Sequence, residues 1–219
     1  ATVAPSFARL GATVRASLVE WPSPPDGSLD GRVCVVTGAS SGIGAALARG
    51  LASSGAALHL VGRDADALDD VAAQVRRIGR PAKVAVHVVD LADLGAVRRF
   101  AADLSMRAER VDVLAHVAGA LVHERTITDD GVELTLQVHV VAPFLLTHLL
   151  LPMLDASDDA RVITMSSGGM YTQRLDVETL EDRDGEFDGT TAYARAKRAQ
   201  VELNEEWARR YPDRGIGFH

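Results

Sequence analysis

The sequence predicts a doubly wound α/β domain: a parallel sheet with helices on both faces. Three observations carry that expectation. Short runs of β-branched and apolar residues alternate with segments of helical period. The runs are almost wholly apolar, as strands buried on both faces must be. A glycine-rich turn joins the first run directly to the first helix. Strand-helix alternation of this kind gives a parallel sheet, because right-handed crossovers place the helices on its two faces.

In chain order, Arg32 to Thr37 is the first buried strand, and Ile43 to Ser53 is an Ala/Leu-rich helix with Gly55 beyond its end. Further strands are expected at Ala57 to Val61, Lys83 to Val89, Val111 to Val117 and Ala160 to Met165. Helices are expected between them at Ala65–Ile78, Leu94–Arg107 and Glu133–Leu154, and Tyr193 to Tyr211 is the last clear one. Residues 1–30 read as an arm: a short amphipathic helix over Phe7 to Trp21, then a linker from Pro22 to Gly27 whose prolines cannot propagate it. The core domain is residues 31–219, with no internal repeat or low-complexity tract.

A length of 219 residues suits one domain with a substantial core, and 47% apolar with 24% charged residues suits a globular chain. A formal charge of −7 excludes a nucleic-acid binder, which needs a clustered basic surface. The pairs Arg76/Arg77, Arg98/Arg99 and Arg209/Arg210 are spread through helices and read as solvated faces. Cys34 is the only cysteine, so an internal disulfide and a multi-cysteine metal site are excluded, and no histidine has a metal-ligand spacing. The most apolar stretch, Val140 to Leu154, is shorter than the ~20 residues a bilayer span needs and contains Pro143, His148 and Pro152. With no basic n-region and apolar h-region at the start, the expectation is a cytoplasmic protein with no transmembrane segment, peripheral membrane association staying open.

The first strand runs into Thr37-Gly38-Ala39-Ser40-Ser41-Gly42-Ile43-Gly44, which opens a helix. Glycine at 38 permits a tight turn, and the helix N-terminus offers free N–H groups and partial positive charge to a pyrophosphate. Later, Tyr193-Ala194-Arg195-Ala196-Lys197 sets a phenol and an ammonium on one helical face. A nearby cation stabilises phenolate and makes a tyrosine usable for proton transfer near neutrality.

The spacing T-G-x-x-x-G-I-G, followed by Y-x-x-x-K after the fifth strand, resembles the short-chain dehydrogenase/reductase family from about Gly31 to the end of the chain. The resemblance implies a Rossmann fold and an oxidoreductase moving a hydride between a nicotinamide cofactor and a small alcohol or carbonyl substrate. It implies cofactor contacts from Gly38, Ser40, Ser41, Gly42, Ile43 and Gly44, and from Ala118, Gly119, Tyr193 and Lys197. Gly62 stands where NAD-preferring members carry an acidic residue, and Arg63 follows it, so NADP(H) is favoured over NAD(H). Asp64, about twenty residues past the glycines, argues the other way. Asp90-Leu91 matches the family's adenine-contacting pair, with a turn-forming aspartate as the alternative. By the same resemblance Tyr193 is the acid/base, Lys197 its partner, and Ser167, the second of Ser166-Ser167, the substrate-orienting hydroxyl.

Two asparagine positions of the family are altered. The stretch after the fourth strand reads His116-Val117-Ala118-Gly119, and the helix asparagine of the family's proton relay aligns with His139. His139 either binds the relay water or shuttles a proton, or it fills the helix interior. Glu178 to Asp188 is a strongly acidic loop suited to substrate selection. Members ordinarily continue beyond Gly215-Ile216-Gly217-Phe218 with a substrate-covering segment and another strand, so the chain reads as a fragment. The resemblance further implies an apolar substrate and a homo-oligomer. A cofactor-binding sensor without turnover is the non-enzymatic alternative, and an epimerase or dehydratase on a related fold is the third.

Overall fold

The computed structural model describes residues 27–78, 83–181 and 185–219. The expected arm helix, Phe7 to Trp21, and its linker up to Asp26 lie outside the described residues. The six strands are β1 (Val33–Thr37), β2 (Ala57–Gly62), β3 (Val84–Val88), β4 (Val113–His116), β5 (Ala160–Thr164) and β6 (Ile216–Phe218), all parallel in the order β3-β2-β1-β4-β5-β6. Between them run α1 (Gly42–Ser53), α2 (Ala65–Arg76), α3 (Leu94–Arg107), α4 (Leu134–Asp155) and α5 (Gly189–Arg210).

Strand alternation sorts the core into two layers. Cys34, Val36, Leu58 and Leu60 face α1 and α2, while Val35, Val61, Leu114 and Val162 lie in the layer under α3, α4 and α5. Burying an apolar side chain is worth about 1.5–3 kcal/mol, so each face contributes a large share of the stability. His59 on β2 and His87 on β3 are half-buried polar neighbours, their Nδ1 and Nε2 atoms 2.9 Å apart.

The expected elements appear with their ends moved by a few residues, except in two places. β6 is one strand more than the sequence reading made; three residues carry no periodicity, and Ile216 to Phe218 become a strand by pairing with Ala160 to Val162. The long helix is not uniform: Gln137–Val141 form a π-turn inside α4. Pro143 has no N–H to offer the carbonyl four residues back, that of His139, and just before it Ala142 N donates five residues back, to Gln137 O. Apart from this, α4 is long and apolar enough by composition to cross a membrane, but 67% of its most apolar window is buried inside the fold.

At the end of the sheet opposite the glycine turn, Asp112 ties three strands together. Its carboxylate, 1% exposed, accepts from Val33 N at 2.7 Å, Arg32 Nη1 at 2.8 Å, Ser157 Oγ at 2.7 Å and Arg110 Nε. Burial alone would raise its pKa, but these donors together hold it below the ordinary carboxylate value. Asp112→Ala leaves the Val33 amide and Ser157 without their acceptor. A loss of about 3 kcal/mol is expected, read as a lower urea midpoint, and an unchanged midpoint would remove Asp112 from this role.

Candidate active site

The site forms where β1, β2, β3 and β4 end. A cleft of about 730 Å³ opens there, lined by the glycine turn, Gly62 and Arg63 after β2, Asp90 and Leu91 after β3, the 117–122 loop after β4, and Tyr193. The C-terminal end of a parallel sheet, where the order reverses between β1 and β4, is where such folds leave a crevice.

The glycines of the turn serve closeness. Gly38 has φ +68°, and a Cβ there would stand 2.6 Å from the Ala118 Cα. At Gly44 a Cβ would be 2.1 Å from the Gly38 carbonyl oxygen. The turn is thus pressed against the loop after β4, and Thr37 fastens the two: its hydroxyl donates to Ala115 O at 3.3 Å and accepts from Val117 N and Ala118 N. Thr37 thus ties the end of β1 to the loop after β4. His116, at the first altered position, is instead buried below the loop, its Nε2 2.8 Å from Thr147 Oγ1.

The N-terminus of α1 faces the cleft without a side-chain cap, whereas α2, α3 and α5 are capped by Asp64, Asp93 and Asp188. Its first-turn amides are therefore free for an anion, with no acidic residue in the first turn to repel one. Asp64 spends its carboxylate on Ala67 N at 3.0 Å, while Arg63 is exposed at the cleft and has no ion pair among the described residues. Asp90 accepts from Ala92 N at 2.9 Å, so it does form a turn, but it also lines the cleft, with Leu91 buried beside it.

α5 carries the proton-transfer candidates. Tyr193 reaches the cleft; Lys197, one turn on, is 3% exposed, with its ammonium 5.6 Å from the Tyr193 ring centre and donating to Met165 O at 2.6 Å. Burial lowers the Lys197 pKa to about 8. Ser167 caps the 3₁₀ turn Gly168–Thr172, its Oγ accepting from Gly169 N at 3.3 Å. Ser166 points elsewhere, to the Lys197 carbonyl oxygen. The start of α5 is seated tightly: a Cβ on Gly189 would be 1.7 Å from Val122 O.

His139 is fully buried in the π-turn and stands edge-on to the Tyr193 ring, 5.3 Å between centres. Its Nδ1 lies 2.8 Å from the Thr135 carbonyl, which can only accept, so the proton is on Nδ1; Nε2 then accepts from Ala120 N at 3.3 Å. Burial first, and the Lys197 charge second, lower its pKa to about 4 against the opposing Thr135 bond. The ring is neutral and both of its nitrogens are engaged. Two contributors were missed by the sequence reading: Thr37, lost inside the motif as its unremarkable first letter, and Gln200, whose side chain donates to the His139 carbonyl at 2.8 Å.

The family model for short chain dehydrogenases matches residues 32–177. Human dehydrogenase/reductase SDR family member 12 is 38% identical over 184 residues, 84% of this chain and 58% of that protein. A protein of Streptomyces sp. (strain C5), provisionally named daunorubicin C-13 ketoreductase DnrU, is 40% identical over 189 residues, 86% of this chain and 64% of its own length. The chain thus spans under two thirds of these relatives. A metagenomic short-chain oxidoreductase solved in complex with NADP superposes with a TM-score of 0.70 at 28% identity, covering 86% of this chain and 80% of that one.

Two buried histidines, His116 and His139, and the half-buried His59 bear on stability. Burial lowers the pKa of His116 to about 3 and, with neighbouring charges, those of His59 and His139 to about 4. Each folded value lies below the unfolded one of about 6.5, so their stabilisation is complete above that pH and is lost as pH falls towards 4 and the unfolded chain takes up protons. The urea midpoint is expected to drop over that interval and to drop less steeply in His116→Asn. Parallel pH curves for the two proteins would count against it.

Proposed function

The chain belongs to the short-chain dehydrogenase/reductase family, and from that premise we propose that it interconverts an alcohol and a ketone or aldehyde, with NADP(H) as hydride carrier. The observation that carries the reading is Tyr193 at the wall of the glycine-turn cleft with the buried Lys197 ammonium one turn behind it. Such a pair moves a proton at the place where the cleft would hold a dinucleotide.

The cleft fits that group: Gly38 and Gly44 let the turn pack closely enough to shape its phosphate end, and the uncapped α1 N-terminus complements a pyrophosphate. Gly38, Ser40, Ser41, Gly42, Ile43 and Gly44 would hold the pyrophosphate, Asp90 and Leu91 the adenine, and Ala118 and Gly119 the far ribose. When bound, the cofactor exchanges a hydride with the substrate's carbinol or carbonyl carbon. Tyr193 gives its proton to the carbonyl oxygen in reduction and takes the alcohol proton in oxidation. Lys197 stabilises the phenolate that this leaves. Ser167, whose Oγ already accepts from Gly169, keeps its hydrogen to donate to the reacting oxygen. In this reading His139 supports the Ala120 amide and the Tyr193 ring and shuttles no proton, because both ring nitrogens are in use.

NADP(H) is preferred over NAD(H) because Arg63 stands exposed at the cleft for a 2′-phosphate, while Asp64 is engaged as a helix cap. The substrate is an apolar carbonyl or alcohol. Ile43 and Leu121, 60% and 48% exposed, line the cleft, and the relative named for ketone reduction supports a ketone. A cytoplasmic homo-oligomer completes the reading, with Phe144 of α4, 45% exposed, stacked on the buried Trp207 of α5.

Fluorescence titration with NADPH and NADH, then a panel of apolar ketones and aldehydes followed at the nicotinamide absorbance, tests the whole. Binding without turnover across the panel would favour the sensor alternative, and no binding would end the cofactor reading. Tyr193→Phe is expected to reduce turnover by about a thousandfold or more with NADPH affinity near normal; retained activity would remove Tyr193 from proton transfer. Arg63→Ala is expected to weaken NADPH at least about tenfold more than NADH. An equal loss for both would undo the NADP preference.

A further inference from the structure

Gln200 is a buried polar side chain that the proposed chemistry leaves unused. It is 2% exposed, and its Nε2 donates to the His139 carbonyl at 2.8 Å. Which end of the amide faces that carbonyl is decided by chemistry, since a carbonyl oxygen only accepts. Its Oε1 is consequently turned elsewhere, is buried, and has no hydrogen-bond partner. A buried acceptor of this kind costs about 1–3 kcal/mol when unmatched, which calls for a reason.

Two features supply one. The His139 carbonyl is the one that Pro143, lacking an N–H, does not serve within α4. Gln200 thus reaches across from α5 to fill a gap built into the neighbouring helix. Gln200 also lies three residues after Lys197, on the same face, and helical side chains lean towards the N-terminal turn. Its carboxamide therefore covers the turn that holds Lys197. Lys197 uses one of its three N–H groups on Met165 O. The groups facing it are Tyr193 from its own helix, the neutral His139 ring from α4, and, just after β5, the Met165 carbonyl; none carries a negative charge while Tyr193 is protonated.

We propose that Gln200 is a positioning residue for Lys197: its amide nitrogen locks α5 onto the carbonyl that Pro143 leaves free, and its oxygen, through a water, keeps the buried lysine in its charged form. The inference rests on reading Lys197 as the partner of Tyr193, but its test does not require turnover. Dipolar acceptors near a buried ammonium oppose the burial that drives it neutral.

The chain has two lysines, Lys83 and Lys197, and Lys83 is exposed. Protein labelled with ¹³C at lysine Cε therefore gives two signals, assigned by Lys83→Arg, with Lys83 as internal reference. In Gln200→Met the Lys197 titration is expected to move down by about one pH unit, the size of one lost hydrogen bond to a charged group, with Lys83 unmoved. Gln200→Glu should move it up, because an added carboxylate favours the ammonium, and this variant decides if Gln200→Met does not fold. Unmoved Lys197 titration in a folded variant overturns the proposal. NADPH titration of the parent protein is a separate arm: if it fails while the lysine shifts appear, the cofactor reading falls and the Gln200–Lys197 coupling stands.

Discussion

Everything at the working end of the sheet depends on how closely two backbone segments approach. Gly38 sits so near Ala118 that a single methyl group would meet the Ala118 Cα at 2.6 Å, and Gly44 sits as tightly under the Gly38 carbonyl. With bulk at either position the turn after β1 would lift away from the loop after β4, the α1 N-terminus would swing out, and the cleft between them would change shape. Thr37 holds this contact by giving one hydrogen bond and taking two. Closeness here is enforced by what is missing from two residues and by one hydroxyl.

The opposite end of the sheet is held by charge instead of closeness. Asp112 gathers a backbone amide, a serine hydroxyl and two arginines around one buried carboxylate, and so anchors β1, β4 and the turn before β5. Strands pinned there and pressed together at the glycine turn leave little freedom in register. That rigidity lets loops at the other end present side chains at defined distances.

α4 and α5 form the second coupled unit. Pro143 interrupts the ladder of α4, the π-turn brings His139 inward, and its ring and carbonyl are taken up by Ala120 and Gln200. The Tyr193 ring rests on the edge of that imidazole, and Lys197 lies behind it in a low-dielectric pocket that brings its pKa to about 8. A helix defect thus becomes a seat for α5, and Gly189 allows the same helix to begin against Val122 O.

Much of this was legible in the sequence, and the reason is local. The alternation of apolar runs with amphipathic helices depends on periods of two and 3.6, so five strands and the helices between them could be read directly. The glycine turn and the Tyr193–Lys197 spacing were legible because each is a short segment whose own backbone sets the geometry. Other features exist only across distance. β6 is a strand because β5 is beside it. Thr37 matters because Ala115 and Ala118, some eighty residues on, come within hydrogen-bond reach. The sequence left His139 open between proton carrier and interior filler, and the tertiary structure gave it two backbone partners, while burial first and the nearby Lys197 charge second keep the ring neutral. Likewise Asp64 and Asp90 looked alike as acidic residues near a nucleotide site, and only the fold turned one to cap a helix and left the other at the cleft. Local periodicity and spacing determined the architecture and its motifs; partners brought together from distant parts of the chain decided the protonation, orientation and neighbours of each site residue, because those depend on the field and contacts of groups that sequence order does not place side by side.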